Sequence, residues 1–177
     1  MQQHVQQFFD KYLPEALAAA KDTTIFPETI IAAAATESNW GRSQLTLQAN
    51  NFFGIKAGSS WKGPTVIFRT REEKNDGSSE YINAPFRKYI SAKDCFRDYV
   101  IVITKQRYVN AGVTTATTPQ QQIAAIKKAG YATDSNYTNT LTSIVNQYSS
   151  YIASVFKKNP GITTGLASLL VFFCSLS

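Results

Sequence analysis

Twelve carboxylates and a single imidazole make up the acid–base inventory of this 177-residue chain. The imidazole belongs to His4, in the polar opening Met1-Gln2-Gln3-His4. A Ser-His-Asp or Cys-His centre needs an imidazole to shuttle its proton, and His4 is poorly placed for that work. A catalytic zinc commonly takes three protein ligands, mostly His with Glu, Asp or Cys. One His and two cysteines far apart in sequence, Cys95 and Cys174, do not make such a set. No metal and no cofactor is expected, and acid–base chemistry falls to the carboxylates.

Those carboxylates sort by context. Asp10, Glu15, Asp22 and Glu28 sit among helix ends and polar faces and read as solvated. Asp94 and Asp134 read as helix caps. Glu37 differs. It follows Ile30-Ile31-Ala32-Ala33-Ala34-Ala35-Thr36, a run that predicts a buried helix, and precedes Ser38-Asn39-Trp40-Gly41. A carboxyl at the end of such a helix, beside an indole, should be desolvated, which disfavours its charged form. A raised acid is what protonating a leaving group at neutral pH requires. The plainer alternative is a partly exposed glutamate at a helix C-terminus, where the helix dipole opposes a negative charge.

The elements that must position Glu37 are readable from periodicity. Val5, Phe8, Phe9, Tyr12 and Leu13 form a helical stripe. Pro14 predicts the start of a second segment, Glu15 to Lys21, and Pro27 the start of the Glu37 helix. Asn50 to Gly63 has no clean period and holds three glycines, which predicts a loop. Thr65 to Arg71 and Ser79 to Tyr89 are rich in β-formers around the turn signal Asn75-Asp76-Gly77. Ser91 with Asp94, and Thr118-Pro119 with Gln121, mark two further helix starts. Cys95 falls in the first of these as a small core residue, and Gly130 stops the second. Tyr137, Leu141, Ile144, Val145, Tyr148 and Ile152 line a last long helix. The pattern predicts one α+β domain, a mainly helical body with a small β-hairpin wing.

Around Glu37 runs an ordered series of motifs. It comprises Ala35-Thr36-Glu37-Ser38-Asn39-Trp40-Gly41-Arg42-Ser43, Asn50-Asn51-Phe52-Phe53-Gly54-Ile55-Lys56 and Ser60-Trp61-Lys62-Gly63-Pro64. Phe86-Arg87-Lys88-Tyr89, Arg107-Tyr108 and Ala129-Gly130-Tyr131-Ala132-Thr133-Asp134 complete it. Over residues 5 to 148 the series resembles the glucosaminidase domain of bacterial cell-wall hydrolases, glycoside hydrolase family 73, of the flagellar-rod hydrolase type. The resemblance implies a lysozyme-like fold and cleavage of peptidoglycan glycan strands, usually at the β-1,4 link from N-acetylglucosamine to N-acetylmuramic acid. It implies Glu37 as the general acid and Tyr131 at the catalytic centre. It also implies a second carboxylate in a Thr-x-Glu context on the wing, which Thr70-Arg71-Glu72 fits. Glu73 follows directly and Glu80 lies across the turn. Strand neighbours point to opposite faces, so one of Glu72 and Glu73 faces the cleft.

Trp40, Phe53, Trp61, Tyr108 and Tyr131 are candidate platforms for sugar rings, with core packing the alternative for Phe53 and Tyr108. Asn51 and Lys56 are candidates for binding acetamido and lactyl groups or for orienting loops. The other enzymatic readings are a muramidase or a lytic transglycosylase. A reading from another class is a catalytically inactive wall-binding module.

The remaining features bound the setting. Apolar residues at 44% and charged residues at 17% are a globular profile. The net charge of +6 suits an anionic wall. The scattered Lys and Arg do not form a nucleic-acid module. The opening residues lack a basic region followed by an apolar run, so phage-type or non-classical export to the bacterial wall is the expectation, as a monomer. From Asn159 to Ser177 there is no charge. That predicts a catalytic domain over 1–158 and a hydrophobic tail over 159–177, either a short membrane anchor behind Lys157 and Lys158 or a segment packed on the domain.

Overall fold

The computed structural model of the chain describes residues 1–73 and 78–158, and only the backbone of Glu72 and Glu73. The tail 159–177 and the centre of the Asn75-Asp76-Gly77 turn lie outside the described residues. In order, the elements are α1 (Gln3–Ala20), α2 (Pro27–Glu37), α3 (Gln44–Ala49), β1 (Thr65–Glu73), β2 (Ser79–Arg87), α4 (Ala92–Ile103), α5 (Gln106–Ala111), α6 (Pro119–Lys128) and α7 (Tyr137–Lys158).

The body is built around α2. Ile30 to Ala35 have no solvent exposure, and α1, α6 and α7 all pack on this helix. Its alanines allow that crowding, because side chains this short let neighbouring backbones come close. Pro27 begins it, where a missing N–H costs nothing, and Glu37 is its last residue.

α1 runs unbroken through Pro14, so the expected division into two segments is corrected. The proline removes one backbone hydrogen bond and costs about 3 kcal/mol. Val5, Phe8, Phe9 and Leu13 before it, and Ala16, Leu17 and Ala20 after it, are buried along the same helix. Each large apolar side chain so buried stabilises by about 1.5–3 kcal/mol, so packing holds one helix.

The caps predicted at Ser91 and Thr118 form. Ser91 Oγ accepts from Asp94 N at 3.3 Å, and Thr118 Oγ1 accepts from Gln121 N at 3.2 Å. Gly130 lies just past α6 at φ +80°. Cys95 is a buried free thiol that accepts from Phe52 N at 3.4 Å.

The wing is a two-stranded antiparallel sheet running from Thr65↔Arg87 to Glu73↔Ser79. Its root is tied to the loop before it. Ala57 N donates to Pro85 O at 2.8 Å, Arg87 N to Ile55 O at 3.0 Å, and Lys88 N to Pro64 O at 2.9 Å. Fold class is thus as the sequence predicts, a helical body with a β-hairpin wing. Among the described residues, no helix is long and apolar enough to cross a membrane.

Candidate active site

The chain turns sharply after Glu37. Asn39, Trp40 and Gly41 all take positive φ (50°, 58° and 75°). Ser38 makes the turn possible: its hydroxyl donates to Ala34 O at 2.5 Å and accepts from Gly41 N at 2.7 Å. Gly41 suits this turn because its φ of +75° is one that side-chain-bearing residues rarely adopt. The Glu-Ser-x-Trp-Gly motif is therefore a built helix end that leaves Glu37 at a fixed point.

The Glu37 side chain is reached by solvent, yet protein fills most of the space around it. That enclosure withholds hydration from the anion and raises the carboxyl to about 7, and the negative charge of Asp134 adds to the rise. Both sequence readings are thus partly true: the side chain is exposed and it is desolvated.

A wall of tyrosines stands beside it. The Tyr131 ring meets Tyr99 edge-on at 5.6 Å, with Tyr137 at 6.2 Å and Tyr108 at 6.4 Å. Burial first, and then the Glu37 charge, hold the Tyr131 and Tyr137 hydroxyls well above the usual phenol range. Burial does the same to Tyr99. These groups stay neutral. Tyr131 donates to Phe53 O at 2.9 Å. The Tyr99 and Tyr137 hydroxyls are buried and face each other, each acting on the other's proton.

Other candidates move to different roles. The Phe53 ring is buried and stacked on Tyr99 at 3.9 Å, so it presents its carbonyl rather than a ring face. Tyr108 is fully buried beneath the Arg107 guanidinium, which lies 4.5 Å from its ring centroid. Both are core residues, which corrects the reading of them as sugar platforms. Asn51 is also buried. Its amide donates to Ile55 O at 2.9 Å and Arg87 O at 2.8 Å, and its oxygen accepts from Ile55 N at 3.0 Å. It joins the loop to the wing root, the second of its two expected roles, and not the ligand-binding one.

Trp40 packs edge-on against Phe8, Phe9 and Tyr148, on the α1–α7 side. Trp61 is half-buried at the wing root. Its indole donates to Pro64 O at 3.0 Å and meets the Arg87 guanidinium at 4.7 Å. A Cβ on Gly63 would lie 2.5 Å from that indole, so any other residue there would displace the ring. Arg87 continues to Asp98 at 2.7 Å, which also accepts from the Tyr89 hydroxyl at 2.6 Å. Lys56 is exposed at the same root, where its backbone bridges Phe86.

On the wing, positions 72 and 80 pair directly. They fall in the alternate row that also holds Phe68↔Ala84 and Val66↔Phe86. The side chains of Glu72 and Glu73 lie outside the described residues. Glu80 is exposed.

Two carboxylates depart from expectation. Glu28 is buried, not solvated, because α2 is packed on all sides even at its first turn. Asp134 does not cap α7 directly. Its Oδ1 accepts from Asn136 N at 2.9 Å in a turn ahead of the helix. Its proximity to Glu37 is absent from the sequence reading. Part of the signal is local, since Asp134 closes the motif that begins at Ala129.

The chain is similar to known proteins along most of this length. The glucosaminidase family model, described as mannosyl-glycoprotein endo-beta-N-acetylglucosaminidase, matches residues 13–150. The peptidoglycan hydrolase FlgJ of Salmonella typhimurium is 40% identical over 150 residues, 82% of this chain and 46% of FlgJ. The chain thus spans about half the length of that relative. The solved, C-terminally truncated glycoside hydrolase domain of the same FlgJ superposes with a TM-score of 0.67 at 39% identity, covering 82% of this chain and 98% of that one. The catalytic domain of the autolysin Auto from Listeria monocytogenes gives a TM-score of 0.73 at 31% identity, covering 84% and 86%. With its family model matched across the helical body and the wing, this chain belongs to the glucosaminidase family.

Proposed function

We propose that the chain is a peptidoglycan hydrolase that cuts the β-1,4 bond between N-acetylglucosamine and N-acetylmuramic acid, with Glu37 as general acid. The observation that carries this reading is a carboxyl open to solvent, fixed at a helix end and raised to about 7. Such a group keeps its proton in a large share of molecules near neutral pH and can pass it to the glycosidic oxygen as the C–O bond breaks. The similarity to FlgJ, named a peptidoglycan hydrolase, supports the substrate. The +6 charge favours an anionic wall.

Glu72 is the second carboxylate in this proposal. Its place on a hairpin leaves two routes. At about 6.5–9.5 Å from Glu37 it would activate water and invert the anomeric centre. Further away, the substrate's own 2-acetamido group would act as nucleophile. Tyr131 forms the wall beside the acid, and Trp61 offers an aromatic edge at the wing root. The chain's domain is proposed to end at Lys158. The uncharged stretch 159–177 is proposed to contact membrane, tested by partition of the whole chain against one ending at Lys158.

Digestion of purified peptidoglycan, followed by reduction and mass analysis of the new ends, tests the bond. Reduced N-acetylglucosamine ends are expected. Reduced muramic ends would make the enzyme a muramidase, and anhydro ends a lytic transglycosylase. Intact glycan would leave only a wall-binding module.

A further inference from the structure

The segment between α6 and α7 carries both Tyr131 and Asp134, and it has no ladder to hold it. Its carbonyls need donors from elsewhere. One side chain supplies two of them. Lys127, half-buried in the last turn of α6, donates from Nζ to Ala132 O at 2.8 Å and to Asp134 O at 2.5 Å. An ammonium has three donors on a flexible stem and suits such convergent carbonyls. These are charge-assisted bonds, stronger than neutral ones.

The rest of the loop is organised about the same two points. Gly130 N donates to Lys127 O at 2.9 Å, and Tyr131 N to Ile126 O at 3.3 Å, which swings Tyr131 off the helix end. Tyr131 then reaches Phe53 O. The carbonyl of Asp134 also accepts from Tyr137 N at 3.2 Å, so Lys127 and the start of α7 share one anchor. The Asp134 side chain is held by Asn136 N.

We infer that Lys127 is a positioning residue for this centre: its ammonium ties the α6–α7 loop so that Tyr131 and Asp134 stand beside Glu37. The inference rests on the hydrolase reading for its kinetic consequence, but not for its geometry. Among the described residues, the charge that acts on Glu37 is that of Asp134 from the loop, while the neutral hydroxyls that feel the Glu37 charge, and so face it, are Tyr131 from the loop, Tyr137 from α7 and Tyr99 from α4. Releasing the loop moves the first two of these.

The test uses the whole chain with Lys127→Met and Lys127→Arg. Glu37 is titrated by carbon NMR of its carboxyl in the free protein, with Glu37→Gln to assign the signal. In Lys127→Met the Glu37 midpoint is expected to fall by about half a pH unit or more, as Asp134 withdraws. Lys127→Arg, which keeps donors and charge, is expected to restore it. On soluble glycan fragments, kcat in Lys127→Met is expected to fall about ten-fold with KM within about two-fold, since positioning is lost and binding is not. A Glu37 midpoint that is unchanged or raised in Lys127→Met would overturn the inference, even if the melting temperature fell, because Lys127 would then be a helix-end tie only. If Lys127→Met does not fold, Lys127→Gln is read by the same criteria. The titration needs no substrate, so it decides the inference even if the wild-type chain cuts no glycan.

Discussion

Glu28 and Glu37 sit at opposite ends of one helix, and both are pushed above the ordinary carboxylate range chiefly by lost hydration. Their surroundings otherwise differ at every point. Glu28 lies in the first turn, where the helix dipole favours an anion and a backbone N–H helps it. It is nevertheless shut in, with Oε2 lacking any partner. Glu37 lies at the other end, where the dipole opposes it, and Asp134 opposes it further. It alone meets solvent. A shifted carboxyl therefore does not identify an acid catalyst. A proton donor must also be reachable, and of these two carboxyls only Glu37 meets solvent.

Substitutions at the two ends should separate these roles. The largest effect is expected from Glu37→Gln, which keeps the shape and removes the proton. Turnover of peptidoglycan should fall about 10²–10⁴-fold, without loss of melting temperature. Glu28→Gln should leave turnover within about two-fold. Comparable losses from both would erase the distinction.

A smaller effect is expected from Asp134→Asn. With Glu37 as the proposed general acid, activity should require its protonated form and so fall as pH rises through about 7. Removing the neighbouring negative charge lowers that midpoint, so the alkaline limb of the pH–rate profile should move to lower pH. At mildly alkaline pH this costs a few-fold in rate. A limb that stays in place would show that enclosure alone sets Glu37.

The smallest effect concerns stability. Below about pH 4.5 Glu28 is neutral in both the folded and the unfolded chain. As pH rises, the unfolded chain ionises first while the folded carboxyl keeps its proton. That favours unfolding until pH passes the raised folded value, after which the penalty is constant. Glu28→Gln removes this dependence. Its melting temperature, set against wild type, should gain with pH above about 4.5 and then level off. Parallel curves would place Glu28 in water after all.

The same contrast shows what was legible in the residues. Glu37 was readable because an apolar run ends on it and a turn motif follows, both local facts. The caps at Ser91 and Thr118 and the paired β-formers were equally local. Glu28 was misread because a helix start was equated with a surface, whereas α2 is enclosed by three other helices. Asp134 reads locally as a capping residue. Its charge reaches Glu37 only because α7 packs on α2, a pairing that no short-range pattern encodes. Phe53 and Tyr108 lie in motifs beside the site, but the Phe53 ring is buried by Phe96 and Tyr99 of α4, and Tyr108 faces inward from α5 toward Tyr131. Pro14 shows the reverse case, a strong local signal overridden by a continuous buried stripe.

The central claim is that Glu37 is an accessible acid still protonated near neutrality. Titration of its carboxyl in the free wild-type chain, compared with the pH dependence of kcat, tests it most directly. The account predicts a midpoint near 7, with turnover falling over the same range as the proton leaves. A midpoint near the ordinary glutamate value of about 4.3, with turnover unaffected between pH 5 and 8, would contradict it.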